Sequence, residues 1–521
     1  MDRADIPLPL LAVTAALTGA LIMVIEVMGS KVIGPFFGVS LFVWTALITV
    51  ALVALAAGYA TGGWVADRRS SPDTLFLLIL FAGLWTLAVP WLKAPVLLAC
   101  APAGLRTGAL LASLALFGPC LFLLGCVSPF VVRLAAPRLE HIGRTVGLFY
   151  AISTLGSFLG TVVTGYFLIA RLGVRGVFLL TGGLLVALAG CWFVLFRRRW
   201  LALALVALPL LLPADSPFVA ATMANGTEVR RIHREEGFYA DLQVLDYSGS
   251  AFRTRELVLD GLVQGGIDRD SGLSVYEYTY FLEELARGLR PDGRTCLVIG
   301  LGAGVVPRWF EERGVICDVV DINPDVVETA QQLFGFTPRG RIFVADARRF
   351  LTENSQRYDY VVLDVFTGDT TPGHLLTVEA LRALAAHVAP GGVMVANLIG
   401  ELGPEARMTS AIVRTAREAF DNVRLFPTFD EKTGPGFGNL VLAAHDGPPR
   451  ALDLSRAADS PMHPLARQRV ASFLGREHVL GDLASALILT DDYNPIDFFD
   501  RELKERLRSD TLQGSHWRAL L

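Results

Sequence analysis

The sequence predicts a chain of several domains: a polytopic α-helical membrane bundle, a small β-rich region, and a Rossmann-like α/β domain with a mostly parallel sheet. The first observation is apolarity, because 53% of the residues are hydrophobic and the mean hydropathy is +0.48, too high for a wholly soluble chain. The second is a change of pattern along the sequence: seven apolar stretches come first, and after them short apolar runs alternate with helical segments. We expect the three parts at residues 1–213, 214–290 and 291–521.

The membrane-spanning segments are predicted from length, because a helix needs about 20 apolar residues to cross the hydrocarbon core. A seventh run, residues 200–212, is shorter and is followed by Pro213. The prediction is therefore six or seven spans. The six that meet the length are 8–28, 41–62, 74–92, 109–132, 145–170 and 174–196.

Orientation follows from the basic residues that flank six spans. Nine Lys and Arg residues fall on the side of the N-terminus and five on the other side. Because cytoplasmic loops carry the excess of positive charge, the N-terminus and the cluster Arg197–Arg199 are predicted to be cytoplasmic. We expect a multi-pass protein of the inner (plasma) membrane with its C-terminal domain in the cytoplasm. A crossing by residues 200–212 would reverse the side of that domain.

Glycines recur in the fifth predicted span, at Gly147, Gly156, Gly160 and Gly165. Small residues let two helices approach closely inside a bilayer, where hydrophobicity alone provides no force for association. This spacing predicts a compact bundle.

Several classes of function are excluded. A formal net charge of −4 gives no basic field for nucleic acid, so no nucleic-acid partner is expected. The six cysteines lie in apolar segments or predicted core strands without metal-ligand spacing, and we predict no metal. Neither a Ser-His-Asp order nor a phosphate-loop lysine is present, which argues against hydrolases and nucleoside triphosphatases.

The soluble half begins with residues 227–267, which read as short alternating strands, and a helix near 275–289 follows. Later strands alternate with helices, so a mostly parallel sheet is predicted, with its ligand at the carboxyl ends of the strands. The predicted strands are 296–301, 316–321, 341–345, 358–364, 391–397, 422–427 and 438–444.

A glycine turn follows the first strand of this sheet, with Gly300, Gly302 and Gly304. Such a turn lets a ligand approach backbone amides at a helix N-terminus. By itself the motif is weak evidence, because glycines also serve tight turns that bind nothing.

Carboxylates end the next three strands: Asp321, Asp346 and Asp364. Asp321 is placed to accept hydrogen bonds from both ribose hydroxyls, and Asp346 to accept one from an adenine amino group. The alternative is that the first two only cap helices, a role that Asn323 can also fill beside Asp321. The alignment of three carboxylates with the glycine turn favours an adenosyl-ligand site.

These motifs together resemble the spermidine synthases, aminopropyltransferases that use decarboxylated S-adenosylmethionine. The resemblance is greatest to a branch in which the synthase-like domain follows a hydrophobic bundle, and it implies a class I methyltransferase-like fold. It is carried by LDGLVQ (259–264), LVIGLGAG (297–304), VVDINP (319–324), ADAR (345–348), YDYVVLDVF (358–366) and APGGVMV (389–395), and for the branch by GRTVGLFYAISTLGSFLG (143–160), DVFTGDTTPGHLLT (364–377) and LTDDYNP (489–495).

The resemblance also implies roles for single residues. Gln264 and Asp321 would hold the nucleoside, Asp346 the adenine, and Asp364 the attacking amine. The pocket would be lined by Tyr239 and by one of Tyr276 and Tyr278.

Two positions depart from the family pattern. Soluble spermidine synthases have an Asp in the glycine loop that binds the aminopropyl ammonium, and here that position is Ala303. They also have a second amine-binding Asp soon after the catalytic one, whereas here Thr367 and Gly368 precede Asp369. The nucleoside site is therefore expected to be intact, while the choice of donor and acceptor is left open.

The function we expect is a membrane-anchored aminopropyltransferase that uses decarboxylated S-adenosylmethionine, a small-molecule amine as acceptor, and no metal. Two alternatives stay open. One is a methyl- or aminocarboxypropyl-transferase that uses S-adenosylmethionine itself, and the other is a transporter or sensor with a regulatory adenosyl-binding domain. The expected partners are the acceptor and the lipid bilayer, with a homodimer as an open further assembly.

Overall fold

The computed structural model describes residues 6–38, 41–135, 142–198, 219–223, 225–249, 251–366, 371–403, 406–430, 436–479, 481, 483–499 and 501–514. The chain groups into two compact units. The helical unit comprises the residues up to Ser216 together with the turn 236–240, and the soluble unit comprises the other residues from Pro217 to Leu520.

The helical unit contains seven α-helices among the described residues. They are α1 (Leu8–Phe37), α2 (Leu41–Arg68), α3 (Pro72–Cys100), α4 (Leu105–Gly125), α5 (Val127–Ala135), α6 (Ile142–Val163) and α7 (Ile169–Leu195), with a π-helical turn at Thr164–Leu168 between the last two.

Six segments of the described chain are long and apolar enough to cross a membrane, which confirms the prediction of six spans by length and composition. Helices α4 and α5 together form one of these segments, Leu105–Ala135. The predicted seventh run, residues 200–212, lies outside the described residues.

Helices α1, α2 and α3 extend beyond the predicted apolar windows 8–28, 41–62 and 74–92. The window 8–28 stops before Ser30 and Lys31, yet α1 continues to Phe37 and ends where Gly38 adopts φ of 90°. Hydropathy detects which residues lipid tolerates, whereas a helix ends where its hydrogen bonding ends. For these three helices the length predicted from hydropathy is therefore too short, whereas the fifth apolar segment, Gly143–Leu168, has the 26 residues of the predicted window 145–170.

Helices α1 and α6 pack with their backbones in close contact at two of the predicted glycines. A Cβ atom on Gly156 would overlap the carbonyl oxygen of Ala16, and one on Gly160 would overlap the backbone of Ala20. Ser157 Oγ also donates a hydrogen bond to the Gly19 carbonyl oxygen, at 3.0 Å. This is the close approach expected of small residues in a helical bundle.

The soluble unit begins with an antiparallel sheet of five strands in the order β1-β2-β3-β4-β5. Asp260 and Gly261 connect the last two strands with φ of 48° and 78°, the backbone of a tight hairpin turn. The strands are β1 (Val219–Thr222), β2 (Glu228–Glu236), β3 (Asp241–Ser248), β4 (Arg253–Leu259) and β5 (Leu262–Asp268).

A seven-stranded sheet follows. The strands are β6 (Thr295–Ile299), β7 (Ile316–Asp321), β8 (Ile342–Val344), β9 (Tyr358–Leu363), β10 (Val388–Glu401), β11 (Asn422–Pro427) and β12 (Phe437–His445). Their spatial order is β11-β12-β10-β9-β6-β7-β8. Strands β10 to β8 in that order are parallel, and β12 runs antiparallel to both of its neighbours. The predicted mostly parallel sheet is confirmed.

Apolar cores cover both faces of this sheet, because residues of each strand alternate between two buried clusters. The helices that surround it are α8 (Glu277–Leu289), α9 (Val305–Glu312), α10 (Pro324–Leu333), α11 (Ala347–Glu353), α12 (Val378–Ala386), α13 (Arg407–Ala416), α14 (Pro464–Phe473), α15 (Ile496–Phe499) and α16 (Arg501–Gly514).

The order of the strands determines where a ligand can bind. From β6 the chain builds outward through β7 and β8, and then returns to place β9 on the other side of β6. The carboxyl ends of β6 and β9 therefore flank a topological switch point, where open α/β sheets bind ligands.

The packing of α6 against α1 predicts different effects on stability when alanine replaces two different glycines of α6. Gly156→Ala should destabilise the protein by about 1 to 3 kcal/mol, because the added methyl group overlaps the backbone of α1. Gly147→Ala should be neutral or slightly stabilising, since a Cβ there meets no described atom within 4 Å and alanine favours a helix. Thermal unfolding of both variants in one detergent makes the comparison. Equal stability of the two would contradict the close contact.

Candidate active site

The glycine turn after β6 has three glycines with positive φ: Gly300 at 91°, Gly302 at 53° and Gly304 at 72°. A Cβ on Gly300 would collide with the Asp364 carbonyl group, and one on Gly304 would collide with the Phe336 ring. At Gly302 the atom nearest to an added Cβ is the Gln264 carbonyl oxygen, at 3.4 Å. Packing thus accounts for the first and third glycine, whereas the second has only the Gln264 carbonyl oxygen within 4 Å of an added Cβ.

Asp321 ends β7 and is held by two backbone amides. Its Oδ2 accepts from the Leu301 amide at 2.9 Å, and its Oδ1 accepts from the Asn323 amide at 2.8 Å. Burial raises the pKa of Asp321, and the two amides oppose that rise. Each carboxylate oxygen retains a further lone pair that can accept from a hydroxyl group.

The cap of α10 is supplied by Asn323 and not by Asp321. The Asn323 Oδ1 atom accepts from the Asp325 amide at 3.0 Å, which is the hydrogen bond of an N-cap residue. The alternative that Asp321 is there to cap this helix is therefore removed.

Asp346 does cap its helix. Its Oδ1 accepts from the Arg349 amide at 3.0 Å at the start of α11. It follows β8, so it lies at the same edge of the sheet as Asp321. A contact with the adenine stays a prediction.

Asp364 directly follows β9, and its amide donates to the Ile299 carbonyl oxygen at 2.8 Å. Its Oδ1 accepts from Asn397 Nδ2 at 2.9 Å. Burial raises the pKa of Asp364 to about 6, and the hydrogen bond from Asn397 opposes the rise. This carboxylate is ionised at neutral pH yet binds a proton readily, which suits a general base.

Tyr278, near the start of α8, connects β5 to this centre. Its Oη donates to the Gln264 carbonyl oxygen at 3.3 Å. Burial first, and then the charge of Asp364, raise the pKa of Tyr278 well above its usual value, so it remains a phenol. A Cβ on Gly265 would lie 3.6 Å from the Ala303 Cβ, which brings β5 against the glycine turn.

The other predicted pocket residues make different contacts or lie outside the described chain. Tyr276 Oη donates to Glu256 Oε1 at 2.6 Å, and its ring is 6.4 Å from that of Tyr278. Tyr239 is 44% exposed in the turn after β2, a turn that groups with the helical unit. Asp369 lies outside the described residues. The pocket roles of all three stay predictions.

Sequence reasoning missed two asparagines. Asn397 is fully buried in β10, and its Oδ1 accepts from Asn439 Nδ2 of β12 at 2.9 Å. A polar residue within the apolar run of β10 was a visible signal, because buried amides require partners. Its partner depends on an antiparallel pairing that the local pattern does not reveal.

The C-terminal motif LTDDYNP is tied to the same edge of the sheet. Arg348, in α11, donates to both carboxylate oxygens of Asp491, at 3.1 and 2.5 Å. Thr377 Oγ1 also donates to Asp491 Oδ1 at 2.7 Å. This bidentate pair joins the C-terminal segment to the helix that Asp346 begins.

Comparisons with known proteins find sequence relatives over part of the chain. No family model matches the chain. An N-terminal histidine N-methyltransferase from Emericella nidulans is 34% identical over 169 residues, which are 31% of this chain and 30% of that protein. A polyamine aminopropyltransferase from Vibrio vulnificus is 30% identical over 174 residues, which are 32% of this chain and 58% of that protein.

The chain thus spans between 30% and 58% of the length of these relatives. Among solved structures, a probable spermidine synthase from Corynebacterium glutamicum is 20% identical, with 50% of this chain and 95% of that chain covered at a TM-score of 0.41. About a third of this chain is thus similar in sequence to a polyamine aminopropyltransferase and, with comparable identity, to an N-methyltransferase.

Proposed function

We propose that this protein is a membrane-anchored transferase that moves an aminopropyl group from decarboxylated S-adenosylmethionine to an amine and releases 5′-methylthioadenosine. The observation that carries the proposal is Asp364, a carboxylate at the switch point with a pKa of about 6 and one oxygen bound to Asn397. The sequence relation to a polyamine aminopropyltransferase supports this class of reaction.

The reaction requires two things of the protein: that it position the amine for attack and that it remove a proton from the amine. The amine nitrogen attacks the methylene carbon bonded to the sulfonium; the carbon–nitrogen bond forms as the carbon–sulfur bond breaks, and the bonding pair goes to sulfur. Asp364 takes the proton that the nitrogen loses. Because sulfonium is an excellent leaving group, placing the amine in line supplies most of the remaining acceleration.

The other residues bind the donor and acceptor in this proposal. Asp321 accepts from the ribose hydroxyls through its remaining lone pairs, Gln264 also contacts the nucleoside, and Asp346 accepts from the adenine amino group. The nucleoside crosses the glycine turn at Gly302. Tyr278 lines the acceptor pocket, and Tyr239, Tyr276 and Asp369 are further candidates for that lining.

A second reaction is favoured by Ala303. With no carboxylate at this position, the glycine turn lacks the group that would select an ammonium and repel a carboxylate. Intact S-adenosylmethionine then becomes an acceptable donor of a methyl or aminocarboxypropyl group, and one relative is named as an N-methyltransferase. A transporter or sensor that binds the nucleoside without turnover is the alternative outside the enzymes.

The six apolar segments support association with a membrane. We place the protein in the inner membrane with the soluble unit in the cytoplasm, where adenosyl metabolites are made. This placement follows from the excess of basic residues on the side of the N-terminus.

Product analysis distinguishes the candidates. The purified full chain is incubated with an amine and each donor in turn, and the nucleoside product is identified by mass. Methylthioadenosine supports aminopropyl or aminocarboxypropyl transfer according to the donor used, and S-adenosylhomocysteine supports methyl transfer. Binding without any nucleoside product supports a sensor and contradicts the proposal.

Asp321→Ala should weaken binding of the donor by about 2 to 3 kcal/mol, because a charged acceptor for ribose hydroxyls is lost from a partly buried site. Calorimetric titration of the folded variant measures the change. Asp325→Ala is the matched control, since it removes a carboxylate from the first turn of α10 and should change the affinity by less than about 0.5 kcal/mol. An unchanged affinity in Asp321→Ala would remove this residue from the site.

Asp364→Asn should lower turnover by roughly 100-fold or more while the donor stays bound, as expected when a positioned base is lost. The unfolding temperature of the variant at neutral pH should be equal to or higher than that of the wild type, because an amide has no charge to desolvate and its oxygen can still accept from Asn397. Steady-state kinetics and thermal unfolding are measured on the same sample. In the wild-type protein, kcat/KM should fall as pH decreases through about 6, where Asp364 gains a proton. Near-normal turnover in the variant would move the base elsewhere.

Ala303→Asp should shift donor preference toward decarboxylated S-adenosylmethionine by about 1 to 3 kcal/mol, the range of a charge-assisted hydrogen bond. Ala303→Asn is the control, since it has nearly the same size without the charge. Affinities for both donors are measured for the three proteins at one salt concentration and in one detergent. If Asp and Asn act alike in folded variants, residue 303 does not face the amino end of the donor.

A further inference from the structure

A chain of polar side chains crosses three neighbouring strands on one face of the sheet. Asp364 follows β9, Asn397 lies in β10, and Asn439 lies in β12. In the register of β10 and β12, Asn397 pairs with Val441 and Ile399 pairs with Asn439. Two residues before Asp364 and Asn397, and two after Asn439, the same face of the sheet carries valines of one buried core: Val362, Val395 and Val441. The three polar side chains therefore lie on the same face of the sheet as the apolar core that α8 covers.

The hydrogen bonds of this chain have a direction. Asn439 Nδ2 donates to Asn397 Oδ1, and Asn397 Nδ2 donates to Asp364 Oδ1, both at 2.9 Å. A carboxamide has a donor end and an acceptor end, and a half-turn about its terminal bond exchanges them. With its oxygen engaged by Asn439, Asn397 presents its NH2 group to Asp364. That orientation suits a carboxylate, whereas the reversed amide suits a protonated carboxyl group that donates.

We propose that Asn439 is a positioning residue of the catalytic centre: it fixes the Asn397 amide with its NH2 group toward Asp364 and so keeps Asp364 in the ionised, proton-accepting form. This proposal rests on the proposed function of Asp364 as the base. In this proposal Asn439 acts through Asn397 and not by contact with a reactant.

The other titratable groups that face Asp364 in the described residues come from α8. They are Tyr278 and Glu283, each of which interacts with the charge of Asp364. Glu283 is fully buried, and burial followed by the charge of Glu284 raises its pKa well above the usual range. Neither a phenol nor a carboxyl group, in either of its protonation states, supplies positive charge that would stabilise the ionised form of Asp364. The oriented amide of Asn397 is then the contact that opposes the effect of burial.

Two substitutions separate orientation from packing. Asn439→Asp replaces the donor by an acceptor, so the Asn397 amide turns to donate to residue 439 and faces Asp364 with its oxygen. The acid limb of the profile of kcat/KM against pH should then move upward by about 1 pH unit or more, the size of a lost hydrogen bond to a carboxylate. Asn439→Leu removes the donor without imposing the reversed amide, and should give a smaller shift in the same direction.

Val441→Ala is the matched control. Val441 is fully buried and lies opposite Asn397 in the register, so its truncation loosens packing beside the amide but leaves the polar chain intact. This variant should lose thermal stability without a shift of the acid limb. A shift equal to that of Asn439→Asp would overturn the proposal, because packing alone would then explain it.

A second measurement needs no turnover. The carboxyl C=O band of Asp364 is identified in infrared spectra of the full chain by its loss in Asp364→Asn, and its midpoint is followed with pH. An upward shift of that midpoint in Asn439→Asp supports the orienting role even if no transferase activity is found, an outcome that would contradict only the proposed function. A midpoint and an acid limb that stay in place in folded Asn439 variants would overturn the inference.

Discussion

The candidate site depends on the close approach of the glycine turn to the end of β9. The Asp364 amide donates to the Ile299 carbonyl oxygen, and the Gly300 amide donates to that of Val320, both at 2.8 Å. These bonds extend the parallel ladder by one step beyond the strands, across β9, β6 and β7. Any side chain on Gly300 would meet the Asp364 carbonyl group, so the absence of a Cβ at this position allows the ends of three strands to meet. Asp364 and Asp321, the proposed base and the proposed ribose-binding carboxylate, are thus positioned by backbone hydrogen bonds of one sheet.

Much of this arrangement could be predicted, because parallel strands at a regular spacing bring their carboxyl ends to one edge. What could not be predicted is where polar contacts link distant segments. The pairing of β10 with β12 joins Asn397 to Asn439, and it depends on the antiparallel order of the last strands. The sequence also left Tyr276 and Tyr278 undecided. Their hydroxyl groups make different contacts, Tyr276 with Glu256 and Tyr278 with the Gln264 carbonyl oxygen, and which of the two lines the pocket stays a prediction.

The helical unit shows the same limit of local patterns. Hydropathy located six segments, but it could not identify which glycines of the fifth segment contact another helix. Gly156 and Gly160 meet the backbone of α1, whereas Gly147 and Gly165 have no described neighbour within 4 Å of an added Cβ. All four glycines look alike in the sequence, because their difference arises from the partner helix. The distinction is therefore a property of the tertiary contact alone.

The charge of Asp364 lowers the stability of the folded chain at neutral pH, because the carboxylate is buried. A rise of the Asp364 pKa from 3.8 to about 6 means that the folded chain binds the proton more tightly than the unfolded chain does. The stabilisation from that proton is complete below about pH 4 and is lost as pH rises through about 6, a difference of about 3 kcal/mol at neutral pH. An asparagine would avoid this loss, since its oxygen can accept the same bond from Asn397. Stability alone therefore favours an amide at this position, and the carboxylate there is consistent with the proposed role of Asp364 as a proton acceptor.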